Sequence, residues 1–569
     1  MSNYQFFIKI IFFIIIFSET SCLHAQHSEG QKTDFSDKAM VVSAHKSATK
    51  AGLDILKKGG NAIDAAIAVQ FALAVVYPEA GNIGGGGFLL LRKKNGDTDA
   101  LDYREKAPAA ATRNMYLDAS GNIINGLSLY GHLAAGVPGS VDGMVKAFNR
   151  YSKLKNWKIL LQPAIDLAEN GIQISDIGAT HLNAHQDKFK KYNSHSTVFT
   201  SEKSWKKGDY LVQKDLANTL KLIRDKGEAG FYEGDIAQQI VAEMKAGGGI
   251  ITLADLKNYD AVWRKPMTFD YKNYTMIGMP PPSSGGIALQ QLFSMIAPFP
   301  IAKMGFHSPE AIHLMVEAEK RVYADRATHL GDPDFFKVPV SNLLNTNYLA
   351  QRMNNFNPQK ATPSTAIKAG NFDKKESEQT THFSIVDNEG NAVAVTTTLN
   401  GTFGSHTVVS GAGFILNNEM DDFSSKPGVP NMYGLIGGEG NSIQANKRML
   451  SSMTPTIVLK DKKLHIVVGT PGGSTIITSV FQTIVNIIEF GMSATKAVHS
   501  HRFHHQWLPD EIYIEEKTFS TQIRDNLQKM GHKLKEREYI GRVEAILIQS
   551  DGKIEGAADF RGDDDAEGW

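Results

Sequence analysis

The chain has 569 residues, of which 42% are hydrophobic and 21% charged, so it has ample material for a large globular core. Its 60 Lys and Arg residues balance its 60 Asp and Glu residues, which argues against nucleic acid as a partner. Cys22 is the only cysteine, which excludes an intramolecular disulfide.

The N-terminus has the pattern of a secretion signal. Lys9 is followed by an uninterrupted apolar run from Ile10 to Phe17. This run is shorter than the about 20 residues that a membrane-spanning helix needs. We therefore expect a signal peptide over residues 1–25, cleaved after Ala25, and a periplasmic or secreted protein. Because Cys22 lies just after the apolar run, a lipid anchor on Cys22 is the alternative.

Helix and strand signals alternate in the next part of the chain. Gly59-Gly60 marks a helix end, Asn61 is a helix cap, and the Ala-rich segment after it is typical of a buried helix. The predicted elements are a helix over 47–58, a helix over 62–76, a strand over 88–92, a strand over 100–104 and a mostly helical stretch from 131 to about 356.

A polar stretch from Asn357 to Gln379 leads into a predicted hairpin. The first strand pattern starts at Thr380, turns at Asp387–Asn391 and returns as Ala392–Thr398. This position suits a chain that cuts itself before Thr380. A threonine at a new N-terminus carries both a hydroxyl nucleophile and an α-amine of pKa about 8, which can act as its base near neutrality.

The last part of the chain is predicted to combine hairpins with one long helix. Strand patterns cover 456–460 and 464–468, and a helix pattern follows over 474–490. Gly472 and Gly473 lie in the turn between strand and helix, where free N–H groups and glycine's close approach suit an oxyanion hole. Two more strands flank the turn at 550–552. The mixture predicts an α+β layered core.

Five motifs follow one another in the second half of the chain. They are Thr380–Ser384, Asn417–Phe423, Lys426–Gly434, Leu450–Thr456 and Gly469–Ser474. On these motifs the chain, from Ala39 to Trp569, closely resembles the γ-glutamyltranspeptidases, also called glutathione hydrolases, of the N-terminal-nucleophile hydrolases. The resemblance implies an α+β fold of the four-layer αββα sandwich type, in which both pieces of the cut chain share one core.

The resemblance also implies a reaction. The Thr380 hydroxyl would first attack the Gln379 carbonyl, leaving a large subunit of residues 26–379 and a small catalytic subunit of residues 380–569. It would then attack γ-glutamyl compounds such as glutathione, and the acyl-enzyme would pass the glutamyl group to water, an amino acid or a dipeptide. No cofactor and no metal are expected.

The resemblance assigns roles to individual residues. Thr398 would orient Thr380, and Tyr433 would close a lid loop, residues 426–438, over the pocket. The implied glutamyl-binding residues are Arg104, Ser451 and Ser452 for the α-carboxylate, and Asn400, Glu419 and Asp422 for the α-ammonium.

Several alternatives stay open from the sequence. A related amidase, acting on cephalosporins or polyglutamate, is the nearest, although the lid and the complete glutamyl-binding set count against it. Ser47–Lys50 fits the S-x-x-K pattern of serine enzymes that act on peptidoglycan, but the pattern occurs four times in this chain and K-T-G is absent. An inactive binding protein would not need Thr380, Thr398 and both glycines.

Two histidine questions also arise. His382 lies two residues after Thr380 on the same strand face and is the alternative to the α-amine as general base. The histidine-rich segment His501–Trp507 lacks the ligand spacing typical of zinc sites, so we do not predict a metal there.

Overall fold

The computed structural model describes residues 30–370, 381–426, 429, 432, 439–516 and 518–569. The predicted signal peptide with Cys22 lies outside this range, as do Gln379, Thr380 and Tyr433. Within the described range, no helix combines the length and apolarity needed to cross a membrane.

Most strands belong to two seven-stranded sheets. Sheet one has the order β1-β18-β17-β13-β12-β9-β8, and sheet two has the order β19-β2-β10-β11-β3-β4-β7. In chain order, the strands are β1 (Thr33–Ser36), β2 (Met40–Ser43), β3 (Gly86–Arg92), β4 (Thr98–Asp102), β5 (Ile172–Gln173), β6 (Tyr210–Leu211), β7 (Val262–Arg264), β8 (Met267–Tyr271), β9 (Tyr274–Gly278), β10 (Thr381–Val386), β11 (Ala392–Thr398), β12 (Thr456–Lys460), β13 (Lys463–Gly469), β14 (Phe503–His504), β15 (Ile512–Glu515), β16 (Leu534–Arg537), β17 (Glu544–Ile548), β18 (Ile554–Ala557) and β19 (Asp565–Gly568).

The helices fall into two groups along the chain, one before residue 260 and one after residue 280. They are α1 (Lys46–Lys57), α2 (Ala62–Val76), α3 (Ser140–Tyr151), α4 (Trp157–Asn170), α5 (Asp176–Tyr192), α6 (Lys214–Lys226), α7 (Ala229–Tyr232), α8 (Gly234–Gly247), α9 (Leu253–Lys257), α10 (Gly285–Ile296), α11 (Ile301–Met304), α12 (Pro309–His329), α13 (Val340–Leu343), α14 (Thr346–Arg352), α15 (Thr475–Ile488), α16 (Ala494–His499) and α17 (Thr521–Lys529).

Side chains alternate between the two faces of each strand, and the sheets and helices enclose three stacked hydrophobic cores. On β3, Leu89 and Leu91 pack with the first group of helices, whereas Phe88 and Leu90 face sheet one. The outer face of sheet one packs against α10, α12, α15 and α16. The order of layers is therefore helix, sheet, sheet, helix, which confirms the α+β four-layer αββα prediction.

Most predicted elements are found within a residue or two of their expected bounds. The helix predicted over 62–76 is α2, capped by Asn61 in a capping box with Asp64. The strand predicted to reach Arg104 ends at Asp102, because Arg104 leaves the sheet. The hairpin β8–β9 was missed within the stretch predicted as mostly helical: its turn uses Lys272 at φ 55°, not the glycine that usually marks such turns.

A cut before residue 380 would divide the chain into two parts that share both sheets. Strands from before residue 371 and from after residue 380 alternate in sheet two, and β8, β9 and β1 complete sheet one at its two edges. Any cut between β9 and β10 therefore leaves both pieces hydrogen-bonded into one core.

Candidate active site

The candidate residues gather at one edge of sheet two. The end of β11 at Thr398 pairs with Gly86 at the start of β3, and β4 ends beside it at Asp102. The start of β10 lies at the same edge, since Thr381 pairs with Thr397.

Thr398 is fully buried and fixed by hydrogen bonds. Its Oγ1 accepts the backbone N–H of Asn400 at 2.7 Å, and its carbonyl accepts Nδ2 of Asn82 at 2.7 Å. Asn82 Oδ1 in turn accepts Gly85 N–H at 3.1 Å and Ser140 Oγ at 2.6 Å. Asn82 thus holds the end of β11 against the loop before β3, a role that sequence reasoning missed because a lone loop Asn carries no motif.

The Gly472-Gly473 turn joins β13 to α15. Gly472 has φ 136° and Gly473 has φ 63°, conformations that favour glycine. A Cβ on Gly472 would lie 2.5 Å from Thr475 Oγ1 and 3.1 Å from the Gly541 Cα, so no side chain fits there. The turn precedes the first residues of α15, where helical N–H groups have no intrahelical acceptor.

Arg104 is the electrostatic centre of the site. Its guanidinium is fully buried and forms ion pairs with Glu419 and Asp422, and Glu105 lies 3.6 Å away. Glu419 and Asp422 come from one 3₁₀ turn, Glu419–Asp422. Arg104 therefore contacts two of the residues assigned to the substrate ammonium, a pairing that sequence reasoning did not predict.

The charges of this cluster perturb one another. Burial opposes the charge on Arg104, but Glu419, Asp422 and Glu105 outweigh it and raise the pKa of Arg104. Burial raises the pKa of Glu105 to about 7, with Arg104 opposing the shift. Burial, together with Glu105 and Asp422, also raises the pKa of Glu419. With three carboxylates and one guanidinium, the cluster is suited to accept a further cation.

The Arg104 side chain is also anchored to the segment that carries the two serines. Its Nε donates to the Met449 carbonyl at 3.4 Å and its Nη2 to the Leu450 carbonyl at 3.2 Å. Ser451 and Ser452 follow directly and are fully buried. The structure thus brings Arg104 next to Ser451 and Ser452, which lie far from it in the sequence.

Asn400 connects this cluster to Thr398. It has φ 69°, and its Nδ2 donates to the Asn418 carbonyl at 3.0 Å, next to Glu419. Its Oδ1 is buried and has no hydrogen-bond donor among the described residues, and neither has Glu419 Oε2. Buried acceptors without donors favour an ammonium ligand, because an unsatisfied buried acceptor is costly.

A cavity of about 1070 Å³ opens beside these residues. Its wall includes Asn400, Gly472, Glu79 and His181. His181 Nδ1 lies 2.6 Å from Glu79 Oε2, and this hydrogen bond raises the pKa of His181. The cavity is large enough for a ligand that extends well beyond a glutamyl group.

His382 lies between the two sheets and not in the cavity wall. Its Nδ1 is 2.9 Å from Thr396 Oγ1, its Nε2 is 3.0 Å from Ser384 Oγ, and burial lowers its pKa to about 3. A Cβ on Gly469 of β13 would lie 2.3 Å from the His382 ring. One ring nitrogen therefore engages a hydroxyl on the neighbouring strand β11 and the other a hydroxyl on β10 itself, which disfavours His382 as a general base.

Two other sequence candidates have ordinary surroundings. Lys50 pairs with Asp54 at 3.0 Å on the surface, so the Ser47–Lys50 pattern lacks a lysine turned toward its serine. His504 contacts Thr478 Oγ1 at 2.9 Å and Gln506 Oε1 at 3.0 Å.

One buried group of metal-ligand type occurs elsewhere in the described chain, formed by His313, Glu317 and His532. His313 Nδ1 lies 2.7 Å from His532 Nε2, and Glu317 pairs with Lys320 and Arg321. The ligand atoms thus already engage one another or nearby cations.

Comparison with known proteins identifies the family. The γ-glutamyltranspeptidase family model matches residues 48–569. The chain is 49% identical over 528 residues to the glutathione hydrolase proenzyme of Escherichia coli K12, covering 92% of this chain and 91% of that protein.

Solved structures agree with this match. Cephalosporin acylase from Bacillus halodurans superposes with a TM-score of 0.83 at 25% identity, over 95% of this chain and 97% of that one. A chain of Helicobacter pylori γ-glutamyltranspeptidase is 45% identical, with a TM-score of 0.56, over 58% of this chain and 94% of that one. The chain belongs to the γ-glutamyltranspeptidase family.

Proposed function

We propose that this protein is a self-processing γ-glutamyltransferase and glutathione hydrolase with Thr380 as its nucleophile. The observation that carries the proposal is the buried array of Arg104, Glu419, Asp422 and Asn400, of which Asn400 lines the same cavity as Gly472. An α-amino acid head group carries one carboxylate and one ammonium, and this array offers complementary groups for both. The 49% identity to a glutathione hydrolase proenzyme supports the same substrate class.

Recognition divides between the two charges of the glutamyl group. The α-carboxylate takes guanidinium N–H groups of Arg104 as Glu419 and Asp422 turn from Arg104 to the ligand ammonium, and Ser451 and Ser452 donate hydroxyl hydrogen bonds to it. The α-ammonium donates hydrogen bonds to side-chain oxygens of Glu419, Asp422 and Asn400. Tyr433, on the lid loop at residues 426–438, covers the bound group.

Processing and turnover use the same hydroxyl. The Thr380 oxygen attacks the Gln379 carbonyl, the Gln379–Thr380 C–N bond breaks, and the freed amine becomes the new N-terminus while an ester links the two pieces. Water hydrolyses that ester, giving a large subunit of residues 26–379 and a small subunit of residues 380–569. Thr398, which follows the Thr397 that pairs with Thr381 in the hairpin, orients the hydroxyl.

In turnover, the α-amine of Thr380 takes the hydroxyl proton, and the oxygen attacks the γ-glutamyl carbonyl. The N–H groups of Gly472 and Gly473 stabilise the negative charge that develops on the carbonyl oxygen. The amine leaving group departs with a proton, and water or an acceptor amine then attacks the acyl-enzyme.

The leaving group and the acceptor occupy the cavity that Gly472 lines. His181, which lines this cavity beside Glu79, contacts the free carboxylate of an amino acid or dipeptide. We expect His181→Gln to raise the KM for a dipeptide acceptor without changing the rate of hydrolysis. An equal change in both would remove this assignment.

Self-cleavage tests the proposal as a whole. Purified wild-type protein should give two bands on a denaturing gel, with Thr380 at the N-terminus of the smaller one, and should release 4-nitroaniline from L-γ-glutamyl-4-nitroanilide. Thr380→Ala should stay one chain and be inactive. A Thr380→Ala protein that still splits at this bond without added protease would refute the mechanism.

A cephalosporin-type acylase is the second candidate, because one of the solved structures that match nearly the whole chain is such an enzyme. Arg104→Ala distinguishes the two. It should raise the KM for γ-glutamyl substrates strongly, and Arg104→Lys should rescue only in part, because lysine lacks the fork geometry. An enzyme whose activity on an acyl substrate without an α-carboxylate exceeds its γ-glutamyl activity would favour the acylase.

Export completes the proposal. The pattern at residues 1–25 supports a periplasmic or secreted enzyme, with the lipid anchor on Cys22 as the alternative. Mass measurement of the mature large subunit separates cleavage after Ala25 from acylation at Cys22.

A further inference from the structure

A second buried arginine lies behind the two serines of the glutamyl pocket. Arg326, on α12, is 1% exposed. Its Nη2 donates a hydrogen bond to Ser452 Oγ, and its Nε donates to Ser284 Oγ at 2.7 Å. The guanidinium thus contacts the pocket through one serine hydroxyl and contacts a second serine beside it.

Ser284 extends this contact to the neighbouring serine. Its backbone N–H and its Oγ both donate to the Ser451 carbonyl, at 2.7 and 2.8 Å. The Ser451 N–H donates to the Pro282 carbonyl at 2.9 Å. The segment at 282–284 therefore holds the backbone of Ser451, and Arg326 holds both Ser284 and the side chain of Ser452.

These contacts affect how Ser452 can bind an anion. A hydroxyl that accepts a guanidinium N–H has its own proton directed elsewhere, as a donor. Donation from a permanent cation also strengthens that onward hydrogen bond, because linked hydrogen bonds polarise one another in a buried site. Arg104, by contrast, is already paired with Glu419 and Asp422.

We propose that Arg326 is a positioning residue for recognition of the substrate's α-carboxylate, acting through Ser452 and Ser284. It fixes the Ser452 hydroxyl as a donor toward the carboxylate and places a second guanidinium one hydroxyl away from it. The inference rests on the proposed function of the glutamyl pocket and extends it to a residue outside the assigned binding set.

The test compares two substrates that differ only in the α-carboxylate. They are L-γ-glutamyl-4-nitroanilide and 4-aminobutyryl-4-nitroanilide, and the readout is the ratio of their kcat/KM values, measured on processed protein. Arg326→Lys should lower this ratio about tenfold and Arg326→Met further, mainly through the KM for the glutamyl substrate. In a Ser452→Ala background, Arg326→Lys should lower the ratio no further.

Arg321→Lys is the matched control. Arg321 lies on the same helix, is 1% exposed, and pairs with Glu317 at 2.8 Å, away from the serines. It should lower the melting temperature but leave the substrate ratio unchanged. A general loss of packing in α12 would lower the substrate ratio equally in Arg321→Lys and Arg326→Lys. That result would overturn the proposal.

Ser284→Ala is a second variant that tests the proposal even if the arginine variants misfold. It removes one hydroxyl from the contact chain and should lower the ratio severalfold. An unchanged ratio in folded and processed Arg326→Lys would overturn the proposal. If the arginine variants do not fold, an unchanged ratio in Ser284→Ala would overturn it. Wild-type protein that cleaves neither anilide would instead refute the proposed function.

Discussion

At the residue scale, the most unusual feature is the number of carboxylates around Arg104. Glu105, Glu419 and Asp422 all lie close to one buried guanidinium, and two of the three have raised pKa values. A ligand ammonium stabilises the ionised carboxylates, so ligand binding and proton loss should be linked. The pH dependence of affinity can therefore report on the pocket.

Glu105 should make ligand affinity depend on pH near neutrality. Its pKa is raised to about 7 by burial, so the carboxyl is ionised above pH 7 and protonated below it. We expect the affinity for L-glutamate, measured by competitive inhibition, to fall as the pH drops from 8 to 6. Glu105→Gln should flatten this profile, and an unchanged slope in the folded variant would contradict the prediction.

The second residue-scale prediction concerns the general base. His382 has a pKa lowered to about 3 and both nitrogens hydrogen-bonded, so it stays neutral across the working range and does not reach the cavity. His382→Gln should therefore keep acyl-enzyme formation within about tenfold of wild type, as expected for a residue outside the proton transfer. Stopped-flow measurement of 4-nitroaniline release gives this rate.

Ser384→Ala is the control, because it removes one hydrogen-bond partner of the same ring. Loss of several orders of magnitude in a His382→Gln enzyme that folds and processes normally would make His382 the base. The α-amine proposal for Thr380 would then fail.

At the scale of elements, the turn between β13 and α15 is built for backbone donors. Gly472 adopts φ 136° against Thr475 and Gly541, with no space for a Cβ. The turn is therefore held by packing on both sides, which preorganises its N–H groups before any negative charge develops. Such preorganisation is the main source of oxyanion stabilisation.

Gly472→Ala should lower kcat about 100-fold with little change in KM, since the added Cβ displaces the N–H donors of the turn and the loss falls on the transition state. Steady-state kinetics with L-γ-glutamyl-4-nitroanilide measure both constants. Gly96→Ala is the control, because Gly96 also has a positive φ of 96° but has open space around it. If both variants lose activity equally, backbone strain and not a displaced donor explains the effect.

At the scale of the whole molecule, the two proposed subunits form one folding unit. Sheet two alternates β2, β3, β4 and β7 from the large piece with β10, β11 and β19 from the small piece, and sheet one is shared in the same way. Each interface between the pieces thus contains main-chain hydrogen bonds and buried apolar side chains. Separation would expose the cores of both sheets.

We therefore expect the processed subunits to elute together in gel filtration and to unfold in one cooperative transition in urea. Monitoring by circular dichroism and by tryptophan fluorescence should give coincident curves. Unprocessed Thr380→Ala should show a similar transition. Separate elution of the subunits without denaturant would contradict the shared-core fold.

Much of the local structure could be predicted from residue patterns. The bounds of α2 follow from Asn61, a run of apolar residues and Pro78, and the β10–β11 hairpin follows from its turn at Asp387–Asn391. These elements are determined by short-range effects, such as helix capping and turn conformation, which the local sequence contains. The β8–β9 hairpin escaped prediction because its turn residues are not the usual ones.

The motifs also supplied the candidate residues, but not their contacts. The ion pairs of Arg104 with Glu419 and Asp422 join positions more than 300 residues apart, and no local pattern encodes such a distance. The contacts of Arg326 with Ser452 and of Asn82 with Thr398 also join positions that are 126 and 316 residues apart. Only the stacking of two shared sheets and their helices brings these groups together, because burial leaves each charged or polar atom dependent on the partner that packing supplies.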